Sequence, residues 1–248
     1  MLIEKLDGLA AGVISVVGGG GKTSTITRLA RELNQLGQKV IVTTTTRLGA
    51  GEGLLYEHRL LTSGVPIKDN QADFKLPDHD LILVGSSMDT EKFVGISKDD
   101  VDSLHSLAGG RYLLVEADGA AKKPFKAPGG HEPVIPRSSQ LVIAVVGAWA
   151  LDLPLHSDYL HRPELIAGLT GLELNDPLTV EAAAKVILHP EGYRKGVPDN
   201  AGFAVLINGV NRENMGKARK LARLLKSKNV EKVLLTNVRE EPPVVEVM

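Results

Sequence analysis

Gly12-Val13-Ile14-Ser15-Val16-Val17-Gly18-Gly19-Gly20-Gly21-Lys22-Thr23-Ser24 reads as a strand that runs straight into a glycine loop and then into a helix. Val13 to Val17 is short, apolar and rich in β-branched residues, the pattern of a strand covered on both faces. The consecutive glycines expose backbone N–H groups with no Cβ to obstruct an approaching anion. Lys22 adds a positive charge, Thr23 adds a hydroxyl suited to Mg²⁺, and the start of the helix directs its partial positive charge to the same place. Gly18, Gly19, Gly20, Gly21, Lys22, Thr23 and Ser24 are therefore the expected nucleotide-binding residues.

The usual phosphate-loop pattern G-x-x-x-x-G-K-[ST] would require a glycine at Val16. What remains, Gly18-x-x-Gly21-Lys22-Thr23, is a shortened form that looks like the G-T-x-G-K-T loop of the Mur ligases. The plain alternative is a glycine-rich turn with an incidental lysine. The strand before it and the helix after it favour phosphate binding.

The chain has 248 residues and no cysteine, which excludes disulfides, thiolate nucleophiles and cysteine-based metal sites. A formal net charge of −1 argues against a dedicated nucleic-acid binder. Met1 to Asp7 lacks the pattern of a signal peptide, and no apolar run approaches a membrane span, so the expected location is cytoplasmic. One α/β domain is expected over 1–248: P-loop NTPase-like, with a mainly parallel sheet, helices on both faces and a helical elaboration at about 151–200.

Beyond the loop, Ile26, Leu29, Ala30, Leu33 and Leu36 recur at helical spacing, and Gly37 fits the helix stop. Lys39 to Thr46 reads as the next strand, completing a βαβ unit with a right-handed crossover. Its end, Thr43-Thr44-Thr45-Thr46-Arg47, offers hydroxyls to Mg²⁺, with Thr45 the chosen ligand, and a guanidinium in Arg47 to clamp a phosphate. Threonine is also simply a good strand former. The excursion from Leu48 to Asp80 is expected to hold short strands or a turn around Pro66, and is either a lid or a passive surface loop. Leu81 to Gly85 is a third apolar run, with which Phe93 to Ile96 is expected to pair. Ser97 caps a helix through Leu107, with Asp100 at the fourth position.

Arg111 to Ala120 is the second signal: an apolar strand that ends in Glu116-Ala117-Asp118-Gly119. A phosphate-loop enzyme places its metal-holding Walker B carboxylate at such a strand end. Glu116 and Asp118 are both candidates for Mg²⁺, against the plain reading of two solvated acids. The proline-rich stretch from Lys122 to Arg137 is an extended loop leaving the strand's C-terminal end, where open α/β sheets bind ligands. Lys122, Lys126, His131 and Arg137 on it, with Arg162 beyond, are expected to bind an anionic second substrate. A solvated surface loop is the alternative.

Further strands are expected at Gln140 to Gly147, Phe203 to Asn208 and Lys232 to Thr236, with helices at Glu164 to Leu169 and Leu178 to Leu188. Asn208 is expected at the base-binding edge. Asn211 stands where guanine-binding proteins carry aspartate and is read as the cap of a helix over Arg212 to Lys228. That substitution favours ATP, with GTP as the alternative. Pro242-Pro243 opens an extended tail.

Taken together, Val17 to Ser24, Thr43 to Arg47, Val115 to Ala120, Lys126-Ala127-Pro128, His131 to Pro136 and His161-Arg162-Pro163-Glu164 resemble the YqeC-type accessory proteins of selenium-dependent molybdenum hydroxylases. The resemblance runs from about Gly12 to Asn211. It implies a nucleotide-binding fold and a role in maturing such a hydroxylase, with an apo-hydroxylase or an anionic cofactor precursor as partner, and with neither nucleic acid nor membrane. Three activities fit. The first is a Mg²⁺-dependent NTPase in which Lys22, Glu116 or Asp118, and Arg47 or Lys122 serve catalysis. The second is a small-molecule kinase or ATP-dependent ligase. The third is a nucleotide-switched chaperone with little intrinsic turnover.

Overall fold

The computed structural model describes residues 1–6, 12–53, 56–69, 72 and 74–248. In chain order the elements are β1 (Val13–Gly18), α1 (Lys22–Gln35), β2 (Val40–Thr44), β3 (Arg47–Gly49), α2 (Ala50–Gly53), β4 (Arg59–Leu61), β5 (Leu81–Gly85), β6 (Ser87–Met88) and β7 (Lys92–Val94). They continue with α3 (Lys98–Leu107), β8 (Tyr112–Glu116), β9 (Ser139–Gly147), α4 (Pro163–Thr170), α5 (Val180–Leu188), β10 (Gly202–Asn208), α6 (Met215–Ser227), β11 (Lys232–Thr236) and β12 (Val244–Val247).

The main sheet has the order β12-β11-β10-β9-β1-β8-β2-β5-β4. Every neighbouring pair is parallel except β11 and β12. β1 and β2 are parallel strands of one sheet, as expected of the βαβ unit, but β8 lies between them. That insertion sets the acid-bearing end of β8 beside the glycine loop.

Alternation along β1 explains the two covered faces. Ile14 and Val16 join Ile26, Leu29 and Leu33 of α1 on one face. Val13 packs with Val101 and Leu104 of α3 on the other, and Val17 joins the cluster that includes α5 and α6. Each such side chain stabilises the fold by about 1.5–3 kcal/mol when fully buried. Across the neighbouring strands β1 and β9, Ser15 and Ser139 satisfy one another at 2.8 Å. In the region expected as a helical elaboration, α4 and α5 pack on the α6 face.

Three local expectations are corrected, and the short strands expected after Leu48 are present. Phe93 does not extend the main sheet: β7 pairs with β3 and β6 in a separate three-stranded sheet. Its ring instead fills the space over Gly85, where an added Cβ would lie 2.1 Å away. The excursion after Leu48 is built of β3, α2, β4 and a turn of 3-10 helix at Ile67–Asp69, with 54, 55, 70, 71 and 73 outside the described residues. The tail after Pro243 is the antiparallel strand β12, whose pairing satisfies the outer edge of β11. Asn211 does not cap α6, which begins at Met215. Its Oδ1 accepts from the N–H groups of Glu213 and Asn214, holding a turn ahead of the helix. At α3, by contrast, Ser97 caps as expected, accepting from Asp100 N–H at 3.1 Å.

Candidate functional site

The glycine loop leaves β1 at its C-terminal end and is clamped by its neighbours. Gly18 N–H donates to both carboxylate oxygens of Asp118 at 3.1 and 3.0 Å. Gly19 N–H donates to Val145 O at 2.9 Å, and Gly20 N–H to Lys123 O at 3.1 Å. Asn208, at the end of β10, donates its amide to Gly20 O at 2.8 Å. Gly18 and Gly20 adopt φ of +98° and +82°, and a Cβ on either would fall within 2.3 Å of backbone atoms of β9. Only glycine fits this path.

The clamps also move the expected cradle. The N–H groups of Gly18, Gly19 and Gly20 already have protein partners, so these residues shape the loop. The first helical bond runs from Thr25 N–H to Gly21 O. The N–H groups ahead of it are the unsatisfied start of α1, and Gly21 to Ser24 line the cavity.

Lys22 folds back against the loop. Its ammonium donates to Gly18 O at 2.9 Å and lies 3.2 Å from Asp118 Oδ1 and 3.6 Å from Glu116 Oε1. Burial favours the neutral amine, but the two carboxylates outweigh it and hold the pKa above its ordinary value. Lys22 therefore stays charged. Thr23 donates its hydroxyl to Glu116 Oε2 at 2.9 Å.

The two acids differ in setting. Glu116 lines the cavity beside Thr23. Asp118 lies behind the loop, 1% exposed, between Gly18 N–H, Lys22 and Lys126, with Lys126 Nζ at 3.1 Å from its Oδ2. Lys126 is likewise fully buried, which takes it off the loop surface where an anionic substrate would meet it. Its ammonium is committed to Asp118, to Gly119 O and, at 2.6 Å, to Glu132. Arg162 closes the chain of charges with a 2.6 Å contact to Glu132. Burial pushes the Glu132 carboxyl up, yet the hydrogen bonds from Arg162 and Lys126 prevail and lower its pKa to about 2. Tyr193 backs the same network. Its ring packs behind Gly18 and its hydroxyl accepts from Lys126 N–H at 3.2 Å.

A cavity of about 700 Å³ opens over the loop, a size suited to a small-molecule ligand. Arg47, Leu48, Lys122 and Lys123 line one end, and Trp149, Asn208, Asn237 and Arg239 the other. Arg47 and Lys122 thus line the same cavity as the glycine loop. His131 and Arg137 are exposed and are not among the lining residues. Arg162 is held by Glu132 away from that lining. Thr45 is also absent from it and donates its hydroxyl to Val134 O at 2.8 Å, while Thr43 and Thr44 donate to Val84 O and Glu116 O. The threonine run braces neighbouring backbone. Asn208 lines the cavity, but Gly20, Val238 and Thr236 occupy its amide.

Trp149, Asn237, Arg239 and Tyr193 carry no motif and were not anticipated. The first three follow the C-terminal ends of β9 and β11. Position after a parallel strand was the available signal. Among the described residues, no helix is long and apolar enough to cross a membrane.

A family model described as YqeC protein matches residues 14–164. A protein of Escherichia coli (strain K12) described as uncharacterized protein YqeC is 32% identical over 239 residues, covering 94% of this chain and 90% of that protein. The crystal structure of FtsY from Mycoplasma mycoides is similar at 11% identity with a TM-score of 0.36. That match covers 92% of this chain and 52% of the FtsY chain, so the chain spans about half the length of that structure.

Proposed function

The chain belongs to the YqeC protein family, and from that premise we propose that it is a Mg²⁺-dependent nucleotide-binding protein serving maturation of a molybdenum hydroxylase or its cofactor. The nucleotide reading rests on one observation: Lys22, Thr23 and Glu116 meet within hydrogen-bonding and ion-pair reach at the cavity-lining start of α1.

The residues present fit the metal. Mg²⁺ prefers hard oxygens and is commonly held by one or two protein groups plus phosphate. The Thr23 hydroxyl and Glu116 carboxylate supply two such oxygens side by side. When bound, Mg²⁺ would neutralise phosphate charge. The N–H groups opening α1 bind the phosphate, and Lys22 exchanges its contacts with Gly18 O and the acids for a phosphate oxygen. Asp118 tolerates that exchange because Lys126 and Gly18 N–H remain on it, so no buried charge is left bare. Arg47 and Lys122 line the cavity beyond that cradle, as do Lys123 and Arg239.

ATP is the favoured nucleotide. Glu116 is the only carboxylate among the described lining residues and lies at the metal, so none faces the Trp149 and Asn237 end to accept from the N–H groups of guanine. A kinase or ligase activity has its own support, because the cavity continues past Thr23 to Arg47 and Lys122 and leaves room for an acceptor. The decisive experiment is calorimetric titration with Mg·ATP and Mg·GTP, on the native chain and on Lys22→Ala. Binding of ATP that the substitution abolishes is expected. Equal heats from the two proteins would sink the reading.

A further inference from the structure

The cations of the cavity fall into two groups. Lys22, Lys123 and Arg239 have partners: the acids and Gly18 O, the carbonyl of Asp158, and Ser24 Oγ at 3.4 Å. Arg47 and Lys122 have none among the described residues, neither ion pair nor side-chain hydrogen bond. Arg47 acts at longer range on Asp89, whose carboxylate is already held by the N–H groups of Glu91 and Lys92. Two unmatched cations therefore face one cavity from different walls, Arg47 from β3 and Lys122 from the turn after β8.

That turn is strained. Ala121 and Lys122 are consecutive side-chain-bearing residues with φ of +47° and +59°, a left-handed path that costs conformational energy. It is pinned at both sides, by Lys123 N–H to Ala120 O at 2.8 Å and Gly20 N–H to Lys123 O at 3.1 Å. Its position is thereby fixed relative to the phosphate loop.

Lys22, Thr23, Glu116 and the start of α1 suffice for a metal-bound nucleotide, which leaves Arg47 and Lys122 unused. An arginine fork and a lysine that line one cavity and have no side-chain partner of their own among the described residues suit a dianionic head. Leu48, Gly49, Ala120 and Ala121 beside them form a small apolar shelf for an organic remainder. We propose that Arg47 and Lys122 form a second anion subsite, separate from the phosphate loop, which takes the phosphate monoester of a small organic molecule as co-substrate of the nucleotide. This deepens the nucleotide reading by naming the class of its second substrate.

The test saturates the full-length chain with Mg²⁺ and a non-hydrolysable ATP analogue, masking the phosphate loop, and titrates inorganic phosphate and then succinate by calorimetry. One phosphate is expected to bind per chain, more tightly than succinate. Arg47→Ala or Lys122→Ala should weaken phosphate by about tenfold or more and leave the analogue's affinity within about threefold. No phosphate binding to the loaded native chain, succinate binding as tightly as phosphate, or unchanged phosphate binding in both variants overturns the proposal. So does loss of analogue binding in those variants, which would assign the two cations to the nucleotide's own phosphates. Should the native chain bind no nucleotide, the nucleotide reading fails by itself. The subsite is then tested by phosphate titration of Lys22→Ala: one bound phosphate lost on adding Arg47→Ala upholds it, and none overturns it.

Discussion

Glu116 and Asp118 stand two residues apart after the same apolar run, yet their surroundings give them different work. Asp118 is almost fully buried and accepts from Gly18 N–H while pairing with Lys22 and Lys126. Removing its charge takes one carboxylate from each of two buried ammonium groups, and breaking buried pairs of this kind costs up to about 3–5 kcal/mol. Asp118→Ala is therefore expected to lower the thermal unfolding midpoint by many degrees. Glu116 lines the cavity and is bound by Thr23. Glu116→Gln keeps the shape and the hydrogen-bond acceptor, so the midpoint should move little while Mg²⁺ no longer tightens nucleotide binding. Thermal scans and titrations with and without Mg²⁺ on both variants check the division. Equal loss of stability in the two would refute it. Their closeness in sequence made both acids legible as candidates; which one faces the cavity is fixed by the clamp on Gly18, a contact between residues a hundred positions apart.

The loop from Pro124 to Arg137 and the start of α4 are joined through one carboxylate. Glu132 receives Lys126 and Arg162, each at 2.6 Å, and its pKa falls from 4.5 to about 2. A carboxyl with a depressed folded pKa contributes stability that is fully present above its unfolded pKa and is lost as pH falls through the folded one. The loss should therefore run from about pH 4.5 down to about pH 2, and its full size is on the order of 3 kcal/mol. Glu132→Gln is expected to be less stable at pH 7 and to show a flatter stability profile across that window in denaturant titrations. An unchanged slope would show that the pairing does not stabilise the fold. At this scale the sequence was most informative where local chemistry decides. The apolar run of β1, the stripe of α1 and the Ser97 cap were all readable. Elements set by distant partners were not: β7 follows the ring of Phe93 over Gly85, and β12 exists because β11 has an open edge.

Across the whole molecule, the insertion of β8 between β1 and β2, with β9 and β10 on the other side, makes one cavity of loops from both halves of the sheet. The mainly parallel architecture was legible from alternating apolar strands and amphipathic helices. Strand order was not, because no local pattern records which strands become neighbours. That order brings the chain's only tryptophan, Trp149, to the end of the cavity opposite Arg47, with 47% of its surface exposed. The indole lies so close to Gly209 that a Cβ there would sit 2.4 Å from it, which fixes the ring as a wall. Beside it, Asn237 offers a carboxamide able to pair with adenine. Stacking a base on an aromatic ring contributes about 1–3 kcal/mol, so Trp149→Leu should weaken ATP by roughly 5- to 150-fold. Inorganic triphosphate, which has no base, should bind both proteins alike. Because Trp149 is unique, its fluorescence in the native chain should respond to ATP and not to triphosphate. Equal weakening of both ligands would mean that the ring supports the phosphate loop. An unchanged ATP affinity would place the base elsewhere in the cavity.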